Sequence, residues 1–157
     1  HRPIVRGEAH MWISFSPALK HWGAHRPLIM TRTAYWDCHR VGLACQPIET
    51  PEGWLLFYHG VRNTAAGAIY RVGLALLDLN SPWKVLHRGD EWILGPSAIY
   101  ERIGDVSDVV FPNGATVYKE TDQINLYYGA ADSTVAVATA KLSDCIDYIL
   151  SCPEGED

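Results

Sequence analysis

The chain has 157 residues, of which 48% are hydrophobic, 20% charged and 11% aromatic, enough for one ordinary domain with a core and too few for two. Thirteen Lys and Arg against 18 Asp and Glu leave a net charge of -5, the wrong balance for a sequence-independent nucleic-acid binder. No apolar run approaches the roughly 18 residues of a membrane span, so neither nucleic acid nor membrane is expected as a partner.

The opening His1-Arg2-Pro3 has no starting Met and no apolar signal-peptide core. It reads as a cytoplasmic chain whose first residue need not be the first residue of its fold. Short apolar or alternating runs then follow at Met11–Phe15, Trp54–Tyr58, Ile69–Leu77, Val109–Phe111, Ala115–Tyr118, Ile124–Tyr128 and Thr134–Ala140. Trp, Tyr, Val and Ile fill them, as suits half-buried pleated surfaces. Turn formers bound them, notably Thr50-Pro51-Glu52-Gly53, Asn80-Ser81-Pro82 and Pro112-Asn113-Gly114. Only Ser143 to Leu150 reads as a short helical turn, with Leu142, Ile146, Ile149 and Leu150 on one face. The fold is therefore expected to be all-β.

Four cysteines, at 38, 45, 145 and 152, are too sparse for a disulfide-framed domain. They are expected to be reduced thiols, with a 145–152 bridge as the alternative. His21 and His25 with Cys38-His39 nearby raise a zinc site, but the stretch from Trp22 to His25 contains Gly and reads as a surface loop. No Gly-x-Ser-x-Gly elbow supports a serine hydrolase.

A weak internal repeat narrows the architecture. Trp54 to Val61 and Ile124 to Ala130 are both apolar strands ending in an aromatic pair or Tyr-His and then Gly, each followed by a second strand. The strand ends recur about every 62 residues, the size of one propeller blade with generous loops. At that period the chain holds roughly two and a half blades, fewer than the four or more a propeller needs to close. Self-association, most simply a dimer, or membership in a longer protein is the expected remedy for the open faces. A single β-sandwich is the alternative if the repeat is accidental.

Several motifs occur in one order: Trp36-Asp37, Val41 to Thr50, Gly53 to Val61, Tyr70-Arg71-Val72-Gly73, Leu76 to Leu79, Tyr100-Glu101, Gly104-Asp105-Val106, Val109 to Pro112 and Tyr127-Tyr128-Gly129-Ala130-Ala131-Asp132. Together they resemble glycoside hydrolase family 130, the β-mannoside phosphorylases and related mannosidases. The resemblance implies a five-bladed β-propeller, of which this chain would be the second half. It also implies that the aspartate serving as general acid lies in the first half, so no catalytic residue is expected here. Where the family usually has Gly-x-Gly, this chain has Gly42-Leu43-Ala44, and altered loop geometry is expected there.

The same resemblance assigns roles. His59, with Tyr58, would contact phosphate, and Asp132 would accept hydrogen bonds from hydroxyls of the mannosyl unit. Read as residues alone, His59 is equally a core histidine and Asp132 a turn residue. Asp37 and Glu101 each follow an aromatic residue and could hydrogen-bond a sugar. Tyr128 or Tyr127 would wall the site, since the two alternate sides of one strand. Arg2 would face substrate or phosphate, and Asp105 reads as a turn residue. The implied function is a glycoside-phosphorylase-like domain that acts on or binds β-mannosides, with inorganic phosphate as co-substrate and no other cofactor or metal. The alternative is a non-catalytic sugar- or phosphate-binding or structural fragment that oligomerises.

Overall fold

The computed structural model describes residues 9–155; Arg2 lies outside them. Among the described residues, ten strands fall into three antiparallel sheets. The first is the hairpin of β1 (Met11–Phe15) and β2 (Gly23–Ile29). The second contains β3 (Arg40–Leu43), β4 (Ile48–Thr50), β5 (Gly53–Thr64), β6 (Gly67–Leu77) and β7 (Val85–Arg88), in the order β3-β5-β6-β7, with β4 pairing β5 as well. The third, ordered β10-β9-β8, is built from β8 (Val110–Tyr118), β9 (Gln123–Ala130) and β10 (Thr134–Lys141). A one-turn helix, α1 (Ile99–Arg102), precedes the third sheet, and α2 (Leu142–Ser151) follows it.

The β5–β6 hairpin is the centre of the molecule. Its strands stay in register from Trp54↔Leu77 to Thr64↔Gly67, and both faces are buried because side chains alternate along a strand. Leu55, Phe57, Val72, Leu74 and Leu76 point toward the third sheet and α2, joining Val110, Ile124, Leu126, Cys145, Ile146 and Ile149. Leu56, Tyr58, Ala75 and Leu77 point the other way, joining Met11, Ile29, Trp36 and Val41. The central sheet is thus covered on both faces. Gly60 and Gly73 let Trp36 lie flat on that second face, since a Cβ at either would run into the indole.

The structure corrects the sequence reading in four places. Gly23–Ile29 is a strand paired with β1 rather than a surface loop; its burial pattern is irregular, so it carries no period-2 signal. Pro112-Asn113-Gly114 does not separate two strands: β8 runs straight through, and the register shift between Pro112 and Gly114 marks a bulge at Asn113. Ala44 is buried and absent from the positive-φ residues, so the second Gly of the family pattern is not needed for backbone conformation. In α2 the buried face is Cys145, Ile146 and Ile149, with Leu142 packed against it, while Leu150 is exposed. That face follows the i, i+3, i+4, i+7 spacing of one helical stripe.

The N-terminus of α2 is capped from outside the helix. Asp122, in the left-handed region at φ 52, accepts the Ser143 amide (3.1 Å) and hydroxyl, and its carbonyl accepts the Leu142 amide (2.9 Å). All four cysteines are free thiols. Among the described residues, no helix is long and apolar enough to cross a membrane.

Candidate functional site

His59 sits on the face of β5 that looks toward the third sheet, and it is buried. Its ring packs on Phe111 (centroids 4.8 Å apart) and lies 6.1 Å from the Tyr70 ring. The ring also covers Gly42: a Cβ there would stand 2.5 Å from Cε1 and 2.7 Å from Nε2. The buried histidine therefore requires glycine at position 42. Burial lowers the His59 pKa from 6.5; a hydrogen bond to the Leu43 backbone works against that, and Arg40 works with it. Nδ1 is buried and has no hydrogen-bond partner among the described residues. A neutral imidazole with one unfilled nitrogen keeps one hydrogen-bonding capacity unused.

One step further along the same strand face, Val61 and Asn63 join His39, Arg40, Ala68 and Tyr70 around an open depression of about 210 Å³. Tyr70 belongs both to this depression and to the His59 cluster. Sequence reading missed Arg40 and Tyr70 as site residues. The signal was the pairing Arg40↔Val61↔Tyr70, which only the register of three strands reveals.

Tyr58 and Asp37 lie on the opposite face of β5 and form a separate polar cluster. Asp37 is fully buried. It accepts from Arg32 (Nη2 to Oδ2, 2.9 Å; Nε, 3.2 Å), from Arg88 (Nη2, 2.8 Å) and from the Tyr58 hydroxyl (3.0 Å). Arg32 is further held by Asp90 and by the Gly89 carbonyl. Burial pushes the Tyr58 hydroxyl up to about 12. For Arg32, burial acts downward, but the hydrogen bond and charge of Asp37 outweigh it and the guanidinium ends above its ordinary value. Every oxygen of Asp37 and Tyr58 is engaged inside the protein, which is the arrangement of a structural ion cluster.

Glu101 and Tyr128 are brought together. The Tyr128 hydroxyl donates to Glu101 Oε1 at 2.7 Å, while Oε2 accepts the amides of Ser97 (2.7 Å) and Ala98 (2.8 Å). Burial alone would raise the Glu101 pKa, but these hydrogen bonds hold it below the ordinary carboxylate value. For Tyr128, burial and the bond to Glu101 both push the hydroxyl upward. Of the two tyrosines, Tyr128 is the core residue and Tyr127 is exposed.

From this pair a ladder runs to Asp132. The Val109 amide donates to the Glu101 carbonyl (3.1 Å), and the Ala131 amide to the Val109 carbonyl (3.0 Å). Ala131 and Asp132 both have positive φ (47° and 51°) and are the two central residues of the turn in the three-residue connection 131–133 between β9 and β10, closed by Ser133 N–H to Ala130 C=O at 3.1 Å. That is the primed turn whose twist suits a tight hairpin, and Asp tolerates its geometry. The loop at Gly104 presses on this turn so closely that a Cβ would strike the Ala131 carbonyl; the Asp105 amide donates to Ser133 Oγ (2.9 Å) and the Val106 amide to Ala131 C=O (3.2 Å). Asp132 itself is exposed, and so is Asp105. Phe111, which carries the His59 ring, pairs with Gly129 three residues before Asp132. His59 and the Asp132 turn therefore belong to one connected region, while Asp37 and Tyr58 stand across the sheet.

Comparison with known proteins covers most of the chain. The family model described as β-1,4-mannooligosaccharide phosphorylase matches residues 2–150. The chain is 43% identical over 141 residues to the β-1,4-mannooligosaccharide phosphorylase of Ruminococcus albus, covering 90% of this chain and 42% of that protein. The solved structure of β-1,2-mannobiose phosphorylase from Listeria innocua, a β-1,2-mannobiose complex, superposes with a TM-score of 0.82 at 43% identity, over 88% of this chain and 38% of that one. A glycosyl hydrolase from Bacteroides ovatus superposes with a TM-score of 0.71 at 31% identity, over 84% and 40%. The chain spans about two fifths of the length of the curated relatives it matches.

Proposed function

The chain belongs to glycoside hydrolase family 130, and on that premise we propose that it forms the phosphate- and mannosyl-binding wall of a β-mannoside phosphorylase domain. The observation that carries this reading is His59, buried with Nδ1 unfilled beside a depression lined by Arg40, Asn63 and Tyr70. Its ring hydrogen bond goes to the Leu43 backbone and its pKa is depressed, so Nδ1 carries a lone pair at neutral pH. That lone pair accepts the O–H of a monohydrogen phosphate or of a sugar, while Arg40 supplies the cationic donor that phosphate favours. Asp132, exposed at the head of a rigid turn, suits a polyol.

Turnover needs a proton donor for the glycosidic oxygen. Neither Asp37 nor Glu101 is free to serve, since each carboxylate is engaged by hydrogen bonds inside the protein. In this reading the acid comes from a polypeptide corresponding to the rest of the relatives' length. The fold reading is a partial five-bladed β-propeller, about two and a half blades by the repeat length, completed by a second copy or by that remaining portion. Exposed Trp12, Leu19 and Trp22 beside the first sheet, and Val135 and Val137 on the edge strand β10, support such completion. The four free thiols fit a reducing compartment such as the cytoplasm.

Mannose 1-phosphate formation from β-1,4-mannobiose, followed with and without inorganic phosphate, tests catalysis. Calorimetric titration with phosphate and with mannose, on the wild type and on H59A, tests the wall itself. Saturable phosphate binding that disappears in H59A is the expected result. Binding without turnover would favour the non-catalytic module. Absence of both would leave a structural fragment.

A further inference from the structure

Of the three sheets, only the central one is covered on both faces. In the third sheet, Ala136 and Ala138 of β10 pack into the core, and alternation turns Val135 and Val137 away from it. Those two valines are 81% and 51% exposed. Val137 pairs with Tyr127 of β9, and Tyr118 of β8 lies on the same side; both tyrosines are exposed. The edge of this sheet is open as well. Among the described residues its strand order ends at β10, which pairs β9 without a bulge from Thr134 to Lys141. β10 carries no Pro and no charge before Lys141, so none of the usual devices that blunt an edge strand protects it.

On the other side of the central sheet, the β1–β2 hairpin and its flanks expose Trp12, Leu19, Trp22 and Met30. A two-stranded sheet is marginal alone and draws its stability from what packs on it. The two ends of the molecule also differ in charge. Residues 9–30 hold Lys20, Arg26 and three histidines with no Asp or Glu, whereas residues 110–155 hold six acids against Lys119 and Lys141. Glu120 and Asp122 sit in the β8–β9 connection and Asp132 in the β9–β10 connection, so carboxylates bracket the third sheet at both ends. On the hairpin, Lys20, His21, His25 and Arg26 are exposed.

We propose that two copies of this chain close into a twofold ring, with the outer face of each third sheet against the β1–β2 hairpin of the other copy. The occupant is a second copy because one molecule carries both halves of the interface: an apolar sheet bracketed by acids and an apolar, basic hairpin. Twofold symmetry uses each surface once in each copy and leaves neither over. Pairing sheet to sheet instead would set acid against acid and leave both hairpins in water. The inference rests on the partial-propeller reading above, in which about two and a half blades per copy make about five in the pair.

The test is sedimentation of the full 157-residue chain at micromolar concentration, where a dimer is expected and higher salt should weaken it severalfold. V135R puts a cation on the acid-bracketed sheet, and W22E puts an acid on the basic hairpin. Each should weaken the dimer about tenfold or more while keeping the wild-type circular dichroism spectrum. An equimolar mixture of the two variants should recover dimers, because one of the two contacts is then native on both sides. Carbodiimide cross-linking of mixed light and 15N-labelled wild type should join Lys20 of one copy to an acid of residues 110–155 of the other, a readout that needs no variant. A monomer, an open polymer, a mixture without dimers, or W22E that stays dimeric while V135R does not would overturn the ring. A dimer that binds no phosphate would overturn the site reading alone, and a phosphate-binding monomer the ring alone.

Discussion

Tyr58 and His59, adjacent in sequence, stand on opposite faces of β5. The Tyr58 hydroxyl is locked between Asp37 and Arg88, and the His59 ring lies on Phe111 across the sheet. The two should separate cleanly by mutation. Y58F deprives a buried carboxylate of one donor, which costs about 1–3 kcal/mol, and should leave phosphate affinity intact. H59A should abolish phosphate binding at a smaller cost in stability. Urea denaturation paired with calorimetric titration checks both.

The depressed pKa of His59 has a signed consequence. As pH falls below the ordinary value of 6.5, the unfolded chain takes up a proton that the buried ring refuses. Stability is therefore greatest above pH 6.5 and declines as pH falls through the lower folded value. Replacing His59 by Asn should flatten this part of the stability–pH curve, as followed by thermal melts between neutral pH and pH 5. An unchanged slope would assign it to other groups.

Glu101 acts in a more acidic window. Its folded pKa lies below the ordinary 4.5, so its stabilisation is complete above about that pH and is lost as pH falls through the folded value. E101Q should melt earlier at neutral pH, since an amide cannot accept at every position the carboxylate fills. Its stability should also fall less steeply on acidification than that of the wild type.

Asp37 neutralises two guanidiniums in a buried setting. D37N should leave Arg32 and Arg88 poorly compensated and cost about 3 kcal/mol, measured by urea midpoint. If Asp37 were instead a sugar ligand, D37N would lose mannose affinity with little change in stability.

Asp132 offers the reverse pattern. D132N retains a side chain that tolerates φ near 50° and should melt within about 0.5 kcal/mol of wild type, as expected for an exposed site. It should nonetheless lose mannose binding in calorimetry. Retained binding would remove Asp132 from the sugar site.

Sedimentation at micromolar concentration checks the exposed sheet edge and outer aromatics. A dimer or larger assembly is expected. A monodisperse monomer would count against an incomplete propeller.

What the sequence revealed depended on whether a signal was local. The long runs of β5, β6, β9 and β10 announce themselves because both faces, or one strictly alternating face, are apolar. Strands β2, β3, β4 and β7 escaped notice because they are short or carry His, Arg, Gly and Pro, and gain their conformation from a neighbour's ladder. The bulge at Asn113 used the same residues a turn would use. Tyr128 and Glu101 are both legible as candidates, but their contact joins positions 27 apart and no local window reveals it. The ion pair of Asp37 with Arg88, 51 residues away, is invisible to any local window.

The β5–β6 hairpin also bears on how the chain reaches its native state. Its two longest strands are joined by a turn in which Thr64 Oγ1 donates to the Gly67 carbonyl at 2.9 Å and accepts the Ala66 amide at 3.2 Å, so pairing can begin between neighbours and zip outward without closing a large loop. Its partners on either side arrive from residues much earlier and much later in the chain. Between those events the hairpin presents apolar side chains from both surfaces to water, and that interval is when molecules stick to one another. Refolding yield should therefore fall as protein concentration rises.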